Sequence, residues 1–394
     1  MNVLYIGYWS AEDTLTASTI VPHLKVLSSF DCVRQVVFCS VERAGPVKEF
    51  SLAKIRHIPL YSTTRGNVVL TKISDYFLLY ASLKRICKQH AIDLVICRSA
   101  MAGAFGHRLG KAFNVPYIVE SFEPHADYMV ESDVWKWYDI RTLIEKHHEA
   151  QQKKSAAYLF PVSRHYREKL ILEGIKDERV HVLPCTVDVE KFQFSEKKRM
   201  AIRNQLRIPP TSVTGIYVGK FGGIYYGKEA FALFKKAFDF FGETFRLIIL
   251  TSHNRGELQK QLEEQCIPLT RVIISSVPHD LVNEYLSASD FAFCCIRPAP
   301  SRKYCSPIKN GEYWANGLPI LIERGVGDDS AIVEAEGGGV ILEEDVEKAL
   351  DTIQQMLSGG RERLAATIQK IASRHRSQIQ ITLTYEKVLL KATG

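Results

Sequence analysis

The sequence predicts an α/β protein built from two Rossmann-like, doubly wound domains, and three observations carry that prediction. Apolar runs rich in β-branched residues alternate with longer amphipathic stretches, the pattern of a parallel sheet covered by helices. At 394 residues the chain is longer than one hydrophobic core usually serves. A break falls at Pro184 to Phe192, where a strand ends and a polar helix, Glu190 to Leu206, leads through Pro209-Pro210 into a fresh strand.

In the first half, strands are expected at Val3 to Ile6, Val36 to Cys39, Leu94 to Cys97, Tyr117 to Val119, Tyr158 to Pro161 and Val180 to Leu183. In the second they are expected at Gly215 to Val218, Leu247 to Thr251, Val272 to Ser275, Phe291 to Ile296 and Ile320 to Ile322. The domain bounds that follow are 1–186 and 187–370, with 371–394 as a terminal helical segment. From Arg361 to Leu390 the spaced residues Leu364, Ile368, Ile371, Ile379, Leu383 and Leu390 give an amphipathic helical pattern. No repeat of solenoid length is present.

Hydrophobic content of 46% with 24% charge is ordinary for a globular protein. The nine cysteines show no C-x-x-C and no histidine partners at zinc spacing, and several sit in apolar runs, so reduced thiols in a cytoplasmic setting are expected. Met1 to Tyr8 reads as a first strand rather than a leader. No apolar run reaches the roughly 18 residues of a membrane span. The net charge of +7 is uneven: Gly359 to Gly394 carries seven Lys/Arg against two Glu. That excess suits either a solvated helix face or weak contact with an anionic membrane surface, so a peripheral position on the inner face of the cell membrane is a further expectation.

The most informative stretch runs from Ser306 to Ile322: Ser-Pro-Ile-Lys-Asn-Gly-Glu-Tyr-Trp-Ala-Asn-Gly-Leu-Pro-Ile-Leu-Ile. It reads as a loop entering a helix, a stop at Gly317, and Pro319 opening a buried strand. A carboxylate in the first turn of such a helix, Glu312, can grip a sugar hydroxyl while the free N–H groups hold an anion. Upstream, Gly219-Lys220-Phe221-Gly222-Gly223 follows the first strand of the second domain and precedes a helix around Glu229 to Phe240. Glycines there let backbone approach a diphosphate, with Lys220 and Lys228 as balancing charges, although Lys228 also suits an ordinary helix surface. The turn lacks the G-x-G-x-x-G spacing of a dinucleotide dehydrogenase. In the first domain, Glu120-Ser121-Phe122-Glu123-Pro124-His125-Ala126-Asp127 lies at the carboxyl end of a strand, where α/β proteins place ligand groups; Arg98 follows another.

The Ser306 to Ile322 stretch resembles the donor-binding signature of glycosyltransferase family 4, in which proline and lysine precede a glutamate, an aromatic residue, small residues and Gly-x-Pro. The resemblance implies the GT-B fold, with two domains facing a cleft and the C-terminal helix crossing back to the first. It implies a hexosyltransferase-like enzyme that moves a sugar from a nucleotide diphosphate sugar to an acceptor hydroxyl, with retention and without a metal or other cofactor. Assembly of cell-surface polysaccharide, lipopolysaccharide or capsule is the implied setting, with a saccharide or lipid-linked acceptor and no nucleic acid.

By the same resemblance Glu312 falls on the ribose-binding glutamate, and Gly219, Gly222, Gly223, Lys220 and Lys228 on the phosphate loop. Backbone at Cys305 and Ser306, with Lys309, would hold phosphate and sugar; Lys309 equally suits bracing the loop through a carboxylate. His125 falls on the histidine that contacts the donor sugar, with Glu123 second. The family's other glutamate would stand eight positions before Glu312, where this chain has Tyr304, so the sugar is not specified. Other occupants of the same fold would be a sugar-nucleotide epimerase or phosphorylase; a non-catalytic nucleotide or nucleic-acid binder is a third alternative. Three more features read as structural: His147-His148-Glu149 as a solvent face, Ser163 as a helix cap, and His279-Asp280 as capping and dipole compensation, with a base able to stack nearby. Gly325, Gly327 and Asp328 read as loop geometry and a cap.

Overall fold

Alternating apolar and amphipathic segments give, in a computed structural model that describes residues 1–62, 68–121 and 123–392, two α/β units. Phe122 of the first-domain motif and the last two residues of the predicted terminal segment lie outside the described residues. The first unit comprises Met1–Val130, Trp135–Pro184 and the chain from Gln378 onward; the second comprises Glu131–Val134 and Cys185–Ser377.

In the first unit the strands are β1 (Asn2–Gly7), β2 (Gln35–Cys39), β3 (Val41–Glu42), β4 (Ser51–Leu52), β5 (Ile55–His57), β6 (Leu60–Tyr61), β7 (Leu94–Arg98), β8 (Tyr117–Ser121) and β9 (Tyr158–Pro161). The intervening helices are α1 (Thr14–Thr19), α2 (Val21–Ser29), α3 (Val68–Gln89), α4 (Ala100–Phe113), α5 (His125–Glu131), α6 (Ile140–Ser155) and α7 (Arg164–Leu172). Among the described residues, the main sheet has the order β4-β5-β2-β1-β7-β8-β9, and β3 pairs with β6. The short strands β3 to β6 escape sequence reading because two- or three-residue strands carry no usable period. Val180 to Leu183, expected as a strand, forms only an isolated bridge to Leu159. Its His181 and Leu183 N–H groups bond the carbonyls of Leu159 and Pro161.

The second unit holds β10 (Val213–Val218), β11 (Phe245–Leu250), β12 (Val272–Ser275), β13 (Phe291–Cys294), β14 (Ile320–Glu323) and β15 (Gly339–Leu342). Its helices are α8 (Glu196–Gln205), α9 (Lys228–Phe241), α10 (Arg255–Glu264), α11 (His279–Ala288), α12 (Ile308–Ala315), α13 (Asp329–Glu336), α14 (Val346–Leu357) and α15 (Arg361–His375). The sheet order among the described residues is β12-β11-β10-β13-β14-β15, parallel throughout. An aromatic core fills one face, with Phe234, Phe245, Phe291 and Phe293 fully buried. Strand order reverses between β10 and β13, and that switch point is where open α/β sheets bind ligands.

The chain then returns to the first unit. After α15 ends, α16 (Ile379–Ala392) packs on α2. Its Tyr385 hydroxyl donates to Glu120, which lies 3% exposed at the end of β8. Arg98 donates to the same carboxylate at 2.7 Å and Tyr5 at 2.6 Å, while His23 Nδ1 lies 3.0 Å away. Burial alone would raise the Glu120 pKa, but His23 and Arg98 outweigh it and hold it well below the carboxylate range. Arg98, expected in the ligand cleft, is instead a buried counter-charge, because β7 ends level with Glu120 in register.

Two other expectations change. His148 is buried along with Glu145 and Gln152, so the helix face read as solvated packs inward and His147 alone of the histidine pair is exposed. The basic C-terminal segment is partly internal. Arg361 caps the carbonyls of Ser289, Asn316 and Gly317, burial bringing its pKa down to about 9, and Arg376 ion-pairs with Asp329. Those two charges are unavailable to a lipid surface. Among the described residues no helix is long and apolar enough to cross a membrane.

Candidate active site

The second unit's site is assembled at the carboxyl ends of β10 and β13. Gly219 leaves β10 with its N–H bonded to the Leu250 carbonyl at 3.0 Å, and the turn that follows needs glycine: Gly222 and Gly223 have φ of 80° and 63°. Tyr217 donates to the Lys220 carbonyl, the Phe221 N–H donates to His253 at 3.2 Å, and Gly222 N–H bonds the Tyr226 carbonyl at 3.0 Å. The turn is therefore fixed from several sides while the Lys220 side chain stays exposed. Gly227 opens α9, so Lys228 stands exposed on its first turn.

Helix α12 brings Glu312 to the same end of the sheet. Its neighbour Tyr313 accepts a hydrogen bond from the Val218 N–H at 2.9 Å, pinning the helix to the strand that releases the glycine turn. The helix stops at Gly317, whose φ is 73° and where a Cβ would stand 2.3 Å from Ala365 backbone. Leu318 N–H closes the turn on the Tyr313 carbonyl at 2.8 Å. Glu312 lies beyond the first turn in which it was expected, since the helix starts at Ile308. It is 1% exposed, with Lys309 Nζ 2.8 Å from one oxygen and His279 Nε2 2.8 Å from the other. Burial pushes its carboxyl up, but Lys309 and His279 more than offset this and the pKa falls below the ordinary value. A carboxylate ionised while buried is a strong acceptor for a hydroxyl.

His279 is the carboxylate partner that sequence reading missed, since it was assigned there to capping and dipole compensation with a base stacking nearby. It opens α11 and its ring lies 5.5 Å from that of Phe192. No local pattern announces a contact spanning 33 residues.

Lys309 does brace a carboxylate, that of Glu312 itself. The Ser306 hydroxyl accepts from the Cys185 N–H at 3.1 Å and from Arg376, and the Cys305 N–H bonds the Arg302 carbonyl at 3.2 Å. These two groups thus have protein partners. The Arg376–Asp329 pair is completed by Asn310, which donates to Asp329 at 2.8 Å, so loop, α12 and α13 share one buried polar cluster. Gly325 and Gly327 have φ of 79° and 56°; a Cβ on Gly327 would meet the Cys305 carbonyl at 2.3 Å. Asp328 stands at the start of α13 without a side-chain cap bond. Tyr304 ends a short 3-10 turn, with Lys303 5.2 Å over its ring.

In the first unit, His125 opens α5 with Nδ1 3.1 Å from Glu123, and its ring meets Trp135 edge-on at 5.6 Å. Burial alone lowers its pKa, but Glu123, helped by Glu145 and Glu149, raises it overall. Glu149, which accepts from the Ala126 N–H at 3.2 Å, is pushed by burial up to about 7. Replacing Glu123 with Gln is therefore expected to lower the His125 pKa, read by NMR titration of the ring protons. An unmoved titration would contradict the pairing. Ser163 caps α7, accepting from the Tyr166 N–H at 3.1 Å.

Among the described residues, no group of three or more His, Cys, Asp or Glu side chains is placed to hold a metal ion. The cysteines are thiols rather than disulfides.

Comparison with known proteins agrees with this architecture. The family model "Glycosyltransferase Family 4" matches residues 35–191, a stretch mainly in the first unit, whereas the sequence motifs that suggested the family lie in the second. HepE from Anabaena, solved in complex with UDP, has a similar structure, with a TM-score of 0.71 at 14% identity, covering 99% of this chain and 100% of that one. Sucrose-phosphate synthase from Thermosynechococcus elongatus gives a TM-score of 0.74 at 14% identity, covering 100% and 99%. A curated relative, the amylovoran biosynthesis glycosyltransferase AmsK of Erwinia amylovora, is 27% identical over 231 residues, which are 56% of this chain and 52% of that protein. The match thus spans about half the length of the curated relative. Two Rossmann-like units and a terminal helix returned to the first define the GT-B fold, and this chain has it.

Proposed function

We propose that the protein is a retaining, metal-independent glycosyltransferase of the family 4 type, moving a sugar from a nucleoside diphosphate sugar to an acceptor hydroxyl in cell-surface polysaccharide assembly. The observation that carries this reading is Glu312, buried yet ionised, on a helix pinned beside a glycine turn at the switch point of the sheet. HepE has also been solved with UDP-glucose, and AmsK is named for a polysaccharide, amylovoran; both support the class of donor and setting.

In this reading Glu312 accepts the ribose hydroxyls, and His279 and Lys309 keep it charged and aimed. The amide of Gly223, the opening amides of α12 and α9, and the exposed Lys220 and Lys228 offset charge developing on the departing diphosphate. His125, oriented by Glu123, acts on the transferred sugar. The acceptor proton passes to the leaving phosphate, so no further protein base is required.

Because lysines and helix N-termini can supply the positive charge, release of nucleoside diphosphate from a UDP-sugar in the presence of acceptor is expected to persist in excess EDTA. Complete loss, restored by magnesium or manganese, would contradict the metal-independent form of the proposal.

A further inference from the structure

At the amino ends of β1 and β2 the first unit has a cavity of about 550 Å³, bounded by the end of α3 and by the β4–β5 hairpin. It lies at the opposite end of the sheet from Glu120 and His125; β1 is six residues long, so the two ends are about 20 Å apart. Arg34, Lys54 and Arg56 line the cavity, and no aspartate or glutamate does. The register brings them together: β2 pairs with β5 in parallel, and the Val36 N–H bonds the Lys54 carbonyl at 2.8 Å. Lys54 Nζ reaches the Phe30 carbonyl at 2.9 Å, whereas Arg34 and Arg56 are exposed and, among the described residues, have no carboxylate partner. The nearby Asp93 carboxylate accepts from the Asn2 N–H at 2.6 Å. Like charges gathered without a counter-ion repel and cost stability, and such a cluster concentrates anions.

We propose that this cavity binds a phosphate ester of a sugar, at a site separate from the nucleotide-sugar site. Three observations select that ligand. First, guanidinium groups match a phosphate in fork geometry, and two of them with a lysine offset a dianion rather than a single carboxylate. Second, the polar remainder of the wall is amide and hydroxyl, from Asn2, Gln35, Ser51 and Gln89, and such groups pair with sugar hydroxyls. Part of that wall is already held in place: Asn2 Nδ2 donates to the His90 and Ala91 carbonyls at 2.8 and 3.1 Å, and His90 Nδ1 lies 3.2 Å from Gln35 Oε1. Third, no Phe, Tyr or Trp lines the cavity. It therefore offers no platform for stacking a base, which sets a sugar phosphate ahead of a nucleotide or a nucleic acid. The volume falls within the range of about 300–1,000 Å³ typical of small-molecule sites.

The test is a calorimetric titration of the full chain, in phosphate-free buffer of low ionic strength, with glucose 1-phosphate and glucose 6-phosphate, which carry the ester at either end of the same sugar. At least one should bind saturably and about tenfold or more tighter than inorganic phosphate, with glucose alone giving no binding. Arg34→Ala and Arg56→Ala should each weaken that binding about tenfold or more with an unchanged circular dichroism spectrum. Lys260→Ala, exposed on α10 of the second unit, should not. His90 gives a second, local readout. Burial and then the Arg56 charge hold its pKa below the ordinary value, so a phosphate bound beside Arg56 should raise it, read by NMR titration of the ring protons with His90→Gln to assign the signal. Equal affinity for inorganic phosphate, unchanged affinity in both arginine variants, an unmoved His90 titration, or binding only to anionic phosphatidylglycerol vesicles or to single-stranded DNA would overturn the proposal. Nucleotide-sugar binding should be retained in both arginine variants; its loss in them would show one site rather than two.

Discussion

Glu312→Ala is expected to weaken binding of the donor nucleotide sugar about ten- to hundredfold while leaving the fold intact. The estimate follows from a charge-assisted hydrogen bond, worth roughly 1.5–3 kcal/mol. The substitution also strands Lys309 and His279, but both reach solvent, with side chains 36% and 27% exposed. Their loss of partner should therefore cost little stability. Calorimetric titration with the donor reads the effect, and an unchanged dissociation constant would remove Glu312 from the site. His279→Ala should reproduce part of the loss, because the carboxylate would keep Lys309 alone to hold it ionised.

The second large effect concerns the first unit. Glu120→Ala removes the acceptor shared by Arg98, His23, Tyr5 and Tyr385 and leaves the Arg98 guanidinium, 3% exposed, without its carboxylate. Breaking a buried pair from one side costs about 3–5 kcal/mol, so the first unit's urea transition should move to clearly lower concentration. Because Tyr385 belongs to α16, amide exchange in that helix should accelerate as well. The pH dependence has a definite sign. The folded-state pKa of Glu120 is depressed, so its stabilisation is complete above the ordinary carboxylate pKa of about 4.3 and is lost as pH falls below it toward the folded value. Glu120→Gln should flatten that acid limb. A wild-type urea midpoint in Glu120→Ala would show the network to be inconsequential.

What was legible in the sequence was local. The glycine turn after β10 and the Gly317 stop of α12 could be read because positive φ demands glycine within a few residues of a strand or helix end. Burial of both faces of the central strands made them continuous apolar runs, which is why β1, β7, β10 and β11 stood out. The contacts across long separations were not legible. His279 and Glu312 meet because α11 and α12 converge, and Arg376 reaches Asp329, Ser306 and Cys185 from the far end of α15. Arg98 and His148 were misplaced for different reasons: Arg98, at the end of β7, looked like a cleft residue until its buried partner Glu120 was known, and His148, in the middle of the polar helix α6, looked like surface. For His148 the missing information was the packing of α6 on α4.

The claim at the centre of this account is that the second unit binds a nucleoside diphosphate sugar, and a thermal-shift titration of the full chain against a panel of nucleotide sugars tests it most directly. Binding at a concentration of about 100 times the dissociation constant stabilises a folded state by about 2.7 kcal/mol. At least one nucleotide sugar should therefore raise the midpoint of the second unit by several degrees, with its parent nucleoside diphosphate giving a smaller rise and Glu312→Ala abolishing most of both. If no nucleotide sugar shifts the midpoint while single-stranded nucleic acid does so with a steep salt dependence, the protein is a nucleic-acid binder on a GT-B fold and the account is wrong.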